Sequence, residues 1–336
     1  MTRRTTATAY ARAGLLGNPS DQYGGKALAC SIFDFEARVE LAAADRFAVI
    51  SNPEERLDGA HFKEVAARLR ERGCYEADRL VRAAIVRFAE GADDLAAIPD
   101  DDPCLKFQLR YETGIPRQAG LAGSSALVIA TLRALAHWFD RPLGRVELAE
   151  RALAAEVEDL GIAAGPMDRV IQSYEGLMHM DFAEPRTPAS YRRLDPALLP
   201  PLFLAWDPRI GRASGAIHRN VQVRWLAGDP EVRAAMEVFP ALVDEGVACL
   251  ERGDVAGFKK CVDRNFDTRA SIFDLGERDV RMVEIGRARG AAVKLCGSGG
   301  AVVGVMDDPD QFAEIEGGFR QAGFRAIRPR LAAEAP

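Results

Sequence analysis

Three glycine-rich loops, set far apart, constrain this chain more than any other feature. The first runs Arg12-Ala13-Gly14-Leu15-Leu16-Gly17-Asn18-Pro19-Ser20-Asp21-Gln22-Tyr23-Gly24-Gly25 between two apolar, strand-like runs. By itself it reads equally well as a long turn whose Asn, Pro, Ser, Asp and Gly satisfy backbone geometry, or as a polar site. The second, Gly114 to Ala126, places glycines and two serines where an apolar helix begins. Free N–H groups and the helix dipole favour an anion there, which suits phosphate. Ser124 or Ser125 acting only as a helix cap is the plain structural alternative. A serine hydroxyl also suits Mg²⁺ carried by a nucleotide. No lysine follows the glycines, so this is not the Gly-x-x-x-x-Gly-Lys-Ser/Thr loop. The third, Lys294 to Val303, joins two strand-like runs through Gly297-Ser298-Gly299-Gly300, a loop nearly bare of side chains. Such a backbone can approach a ligand, or another loop, closely.

Strand and helix patterns alternate irregularly, which predicts a mixed α and β architecture. Strands are expected at Thr6–Leu16, Ala27–Phe35, Arg38–Leu41, Arg46–Ile50, Cys104–Tyr111, Gly176–Phe182, Leu202–Trp206, Ala292–Leu295, Ala301–Met306 and Phe324–Pro329. Helices are expected at His61–Arg72, Glu76–Glu90, Ser124–Phe139, Gly144–Leu160, Asn220–Leu226, Glu231–Arg252, Val255–Arg269, Val280–Ala288 and Pro309–Ala322. With 336 residues, two domains are expected, and the proline-rich stretch Ala183–Leu199 divides them into 1–185 and 186–336.

Composition excludes several classes. A net charge of -6 argues against a broad nucleic-acid face. No apolar run approaches the ~20 residues of a membrane span, and Met1 to Thr6 lacks the apolar core of a secretory signal. Six cysteines without a Cys-x-x-Cys pair read as free thiols of a cytoplasmic protein. The four histidines show no ligand spacing, so no transition-metal site is expected.

One further segment, Gly161-Ile162-Ala163-Ala164-Gly165-Pro166-Met167-Asp168-Arg169, sets Asp168 after proline in the first turn of a helix. The dipole alone favours a carboxylate there. The alternative is a carboxylate aimed at a substrate hydroxyl, as phosphoryl transfer to an alcohol requires.

Taken together and in this order, the segments resemble the superfamily named for galactokinase, homoserine kinase, mevalonate kinase and phosphomevalonate kinase (GHMP). The resemblance extends over almost the whole chain. Within the superfamily it is nearest to the glucuronokinases, on Gly14–Asp21, Ile115–Ser125, Gly161–Arg169, Gly176–Phe182 and Arg224–Asp229. It implies an α+β, two-domain GHMP kinase fold, with a ribosomal-S5-domain-2-like N-terminal domain and a ferredoxin-like C-terminal domain. It also implies ATP- and Mg²⁺-dependent phosphorylation of D-glucuronate at the anomeric hydroxyl, by a monomer or homodimer that binds neither nucleic acid nor membrane.

Residue by residue, the resemblance makes Asp168 the group that receives the hydroxyl proton and Arg12 the cation steadying the acceptor oxygen. Asn18, Asp21, Gln22, Tyr23, Arg117 and Gly299 fall at substrate-binding positions. Gly120, Leu121, Ala122, Gly123, Ser124, Ser125 and Ala126 would hold the nucleotide, with Ser125 the first choice to face the metal and Ser124 the second. The acidic metal ligand usual in the superfamily falls at Val157 here, so Glu156 or Glu158 must supply it, and Glu158 is the choice. A uronate carboxylate calls for a bidentate arginine, and Arg117, Arg169, Arg212, Arg219 and Arg224 are the candidates, with His218 and Arg224 on a segment expected to close over the site. His179, inside an apolar strand, reads as a packed histidine. Other acceptors (galacturonate, a neutral hexose, a heptose), a transiently phosphorylating decarboxylase and a non-catalytic sugar sensor are the rivals.

Overall fold

The computed structural model describes residues 3–51, 56–75, 77–184, 186–209 and 214–332, without the side chains of 214–219. They form two compact units, one of residues 1–10, 35–115 and 123–164, the other of 11–34, 116–122 and 165–336. Two long strands, β1 (Arg4–Leu16) and β2 (Lys26–Ala43), contribute to both.

In the first unit, β2 pairs antiparallel with β5 (Phe107–Thr113), from Ala37↔Thr113 to Ala43↔Phe107. Strand β3 (Phe47–Val49) runs parallel to β5, and β4 (Leu57–Gly59) pairs with β3. The helices are α1 (Phe62–Arg72), α2 (Arg79–Ala89), α3 (Asp93–Ala97), α4 (Gly123–Trp138) and α5 (Arg145–Ala154). At the head of α1, His61 Nδ1 accepts the Glu64 N–H at 3.2 Å, satisfying one donor left over by the helix start. Phe62 then enters an aromatic cluster with Phe107 (centroids 5.7 Å apart) and Phe139 (5.2 Å), and Phe107 touches Trp138 at 4.9 Å. Phe62 and Phe107 are wholly buried, and each such side chain contributes about 1.5–3 kcal/mol. Helix α4 is apolar nearly all round, from Ala126 to Leu132, because the unit encloses it.

In the second unit, the first part of β2 pairs with β6 (Leu177–Asp181), and β6 with β7 (Tyr191–Leu194). A separate antiparallel sheet has the order β11 (Arg325–Ile327), β8 (Leu202–Trp206), β10 (Ala301–Val305), β9 (Ala292–Leu295). Every residue of β8, β9 and β10 is buried; β8 and β10 are unbroken apolar runs, while β9 carries one charged residue, Lys294. Around them are the short α6 (Met167–Tyr174), α7 (Ser214–Leu226), α8 (Pro230–Glu251), α9 (Val255–Ile272), α10 (Glu277–Arg287) and α11 (Phe312–Gln321). Asp254 caps α9, its Oδ1 accepting from the Gly257 N–H at 2.8 Å. The buried stripe of α9 reads Phe258, Cys261, Val262, Asn265, Phe266, Arg269, Ile272. Two of its members are polar.

The structure differs from the sequence expectations in a few elements. β2 is continuous where two strands were expected, because Phe35-Glu36-Ala37 holds no turn former. Strands β4 and β7 were not expected; β7 lies in the proline-rich stretch expected to divide the two domains. The helix expected at Gly144–Leu160 is α5 followed by a π-helical turn, Ala155–Asp159, whose end is marked by Ile162 N–H donating to Glu156 O at 2.8 Å. The six cysteines are free, and five are buried. Among the described residues no helix is long and apolar enough to cross a membrane.

Candidate active site

The site is built around Arg12, near the end of β1, and Asp168, in the first turn of α6. Arg12 Nε donates to Asp168 Oδ1 at 2.7 Å and Nη2 to Oδ2 at 2.8 Å, a two-pronged charged pair. The third nitrogen, Nη1, donates to Gly120 O at 2.6 Å and to Cys296 O at 3.3 Å. The Arg12 backbone N–H bonds to Leu121 O at 3.3 Å. One arginine, 4% exposed, thus joins the first loop to Asp168, to the second loop and to the third. Nearby, Gln172 Nε2 donates to Ala122 O at 2.9 Å, tying α6 to the second loop as well.

The glycines of the third loop make this closeness possible. A Cβ on Gly297 would stand 2.4 Å from Gly120 O and 2.7 Å from Arg12 Nη2, where none fits. Gly299, at φ +133°, lies with its carbonyl against Gly120, while Gly300 N–H donates to Asp279 Oδ1 at 2.7 Å.

Lys294 locks the first loop from beneath. Its Nζ, 1% exposed, donates to Gly14 O (2.6 Å), Asn18 Oδ1 (2.7 Å) and Leu295 O (2.8 Å). Burial pulls its pKa down to about 7. The three acceptors match the three hydrogens of an ammonium. Asn265 adds two bonds, accepting from Gly17 N–H at 2.7 Å and donating to Asn18 O at 3.4 Å. Asn18, expected at the substrate, therefore spends its side-chain oxygen on Lys294.

Asp21 is buried, with Oδ2 accepting the Met167 N–H at 3.2 Å. Gly165 leaves room for it; a Cβ there would meet Asp21 Oδ2 at 2.1 Å. Burial, then the neighbouring charge of Asp168, raises the Asp21 pKa to about 7, against the Met167 N–H, Arg169 and Arg12. Gln22 and Tyr23 are half-buried, and the Tyr23 ring lies 4.9 Å from that of Trp225.

Other expected residues divide clearly. Gly123, Ser124, Ser125 and Ala126 open α4 in the first unit, Ser124 exposed and Ser125 wholly buried. In the same unit Glu156 is wholly buried, while Glu158 is 64% exposed and paired with Arg87 at 2.8 Å. Arg117 is exposed. Arg169 Nη1 donates to Gly165 O at 2.8 Å and stands 3.8 Å from Asp168. Arg224 is committed to Asp229, Glu231 and Ile272 O. Arg212 and the side chains of His218 and Arg219 lie outside the described residues. His179 is half-buried, 3.7 Å from Asp244, with its pKa lowered chiefly by burial. Sequence reasoning passed over Lys294, Asn265 and Arg269. The legible signal was polar residues on the otherwise apolar stripe of α9 and in β9.

Comparison with known proteins gives the class of the chain: a kinase, a phosphotransferase with an alcohol acceptor. Residues 79–176 match the family described as GHMP kinases N terminal domain, and residues 247–324 match GHMP kinases C terminal. The chain is 36% identical over 326 residues to probable glucuronokinase 2 of Arabidopsis thaliana, covering 94% of this chain and 88% of that protein. Glucuronokinase 1 of the same plant is 35% identical over 328 residues, covering 94% and 89%. Among solved structures, Methanococcus jannaschii mevalonate kinase superposes with a TM-score of 0.77 at 18% identity, covering 98% of this chain and 99% of that one. Lactococcus lactis galactokinase complexed with galactose gives 0.76 at 14%, covering 98% and 94%. The chain belongs to the GHMP kinase family and has its α+β fold.

Proposed function

We propose that the chain transfers the terminal phosphoryl group of ATP to the anomeric hydroxyl of D-glucuronate, giving glucuronate 1-phosphate. The observation that carries the reading is the two-pronged Arg12–Asp168 pair, joined to the second and third loops through Gly120 and Cys296. Likeness to glucuronokinases over nearly the whole chain supports the choice of sugar acid.

Arg12 fixes the plane of the Asp168 carboxylate. A carboxylate held in this plane is oriented to take the anomeric O–H proton when the acceptor is bound. As the new O–P bond forms and the bond to the leaving ADP breaks, that proton passes to Asp168. Arg12 remains as fixed positive charge beside the transferring group, and positioning of this kind supplies most of the catalysis in phosphoryl transfer. Asp21, with a pKa near neutrality, is suited to hydrogen-bond a sugar hydroxyl as donor or acceptor. The Gly120–Ala126 backbone would receive the phosphates.

For Mg²⁺, one hydroxyl and one carboxylate fit a cation that arrives largely bound to phosphate. Ser125 and Glu156 are both wholly buried, so Glu156 replaces Glu158, which Arg87 already holds, as the proposed carboxylate. Bound there, the cation would neutralise charge on the nucleotide's phosphates.

The test is ADP release over a panel of uronic acids, neutral hexoses, heptoses and isoprenoid acids, with ³¹P NMR of the product. Turnover on glucuronate, with an anomeric phosphate signal, is expected. Turnover only on neutral sugars, or nucleotide binding without any turnover, overturns the reading.

A further inference from the structure

Of the five arginines first considered for a sugar carboxylate, Arg117 is exposed to solvent, Arg169 and Arg224 are held by other groups, and Arg212 and the side chain of Arg219 lie outside the described residues. Arg269, by contrast, offers a buried edge. It lies on the buried stripe of α9, one turn beyond Asn265, and is 2% exposed. Its guanidinium covers the Phe273 ring at 4.7 Å. Its Nε and Nη2 are buried and have no hydrogen-bond partner among the described residues.

Those two nitrogens form one edge of the guanidinium, with parallel N–H groups. The same edge of Arg12 grips both oxygens of Asp168. Arg269 therefore presents in the interior the half of a bidentate pair that awaits a carboxylate. Burial strips water from this cation, and the two N–H groups of this edge find no acceptor among the described residues in its place, which is costly. Packing alone is a poor reason for it, because a methionine would fill the volume without the charge.

The charged groups around Arg269 locate it. Asp279, Asp21 and Arg12 act on it most strongly. Asp21 and Arg12 belong to the first loop, and Asp279 holds the third loop through Gly300. Asn265, one turn back, holds Gly17 and Asn18 of the first loop.

Resting on the reading of the site as that of a sugar-acid kinase, we propose that Arg269 is the residue that recognises the acceptor's carboxylate, through its Nε/Nη2 edge. It is a specificity determinant and takes no part in the proton or phosphoryl transfer. The covering side chains must part to admit the ligand. Once they close, the ion pair is shielded from water and strong. A neutral sugar of the same shape would leave the guanidinium unpaired, which is how a polar site rejects an analogue.

The experiment compares wild type with Arg269→Met and Arg269→Lys on D-glucuronate, D-galacturonate, mevalonate and D-glucose. Melting temperature is recorded for each variant, to show that it folds. For Arg269→Met, kcat/KM on the acid should fall roughly 10²-fold or more, while any turnover of glucose is unchanged or rises. Arg269→Lys, which keeps the charge and loses the fork, should fall by about 10-fold. An unchanged ratio of acid to neutral sugar in a folded variant overturns the proposal and leaves the glucuronokinase reading intact. If wild type prefers a different acid and Arg269→Met loses that preference, the proposal stands and the glucuronate reading fails. If wild type shows no preference for any acid over glucose, the proposal is overturned.

Discussion

Arg12 and Asp168, 156 positions apart in the chain, meet edge to edge with both carboxylate oxygens engaged at 2.7 and 2.8 Å. Asp168→Asn keeps the volume but replaces one acceptor oxygen by an NH₂ facing a donor. Turnover should drop by at least ~10²-fold, with nucleotide affinity little changed. Steady-state kinetics and a nucleotide titration check this. Near-normal turnover would remove Asp168 from the chemistry.

The two glutamates of the π-helical turn should separate in a magnesium titration. Glu156→Gln should raise the Mg²⁺ needed for half-maximal rate by about 10-fold or more, as loss of a ligand does. Glu158→Gln, which disturbs only a surface pair with Arg87, should leave it within about twofold. The reverse order would restore Glu158 as the ligand.

Lys294 is expected to matter for folding before chemistry. Lys294→Met strands Gly14 O, Asn18 Oδ1 and Leu295 O, each costing about 1–3 kcal/mol if left buried and unbonded. Removing a buried charge offsets part of this, so a net loss of roughly 2–4 kcal/mol is expected in urea unfolding. A gain in stability would mean that the first loop finds other partners.

Asp21 should leave a signature in stability against pH. Its folded pKa is about 7, against 3.8 for an ordinary aspartate. Below the lower value both folded and unfolded chains hold the proton. Between the two, only the folded chain retains it, so stability from this residue declines as pH rises and is lost above about 7. Asp21→Asn removes the effect. The wild type's melting temperature should fall relative to that variant's between pH 4 and 8, and parallel profiles would refute the raised pKa.

Much of this site was legible in the sequence, for physical reasons that differ by residue. The glycines of the three loops and Asp168 after Pro166 announce themselves because backbone geometry restricts which residue can stand there. Helix α4 was visible from its apolar composition. That Glu156 is buried and Glu158 exposed was not, since a π-helical turn changes the facing of residues without changing their spacing. Lys294 and Asn18 are 276 positions apart, and nothing local in either betrays the bond. Arg269 could have been suspected, standing where the period of α9 calls for an apolar side chain. Its unbonded edge, however, is a fact of tertiary structure.

The clamp of Lys294 and Asn265 on Gly14, Gly17 and Asn18 divides the first loop into a fixed root and an adaptable tip. Retargeting this scaffold to another acceptor should begin at Gln22 and Tyr23, whose side chains are partly open, and spare the root. A library randomised across Gly14–Asn18 would mostly yield chains that no longer hold Arg12 in place.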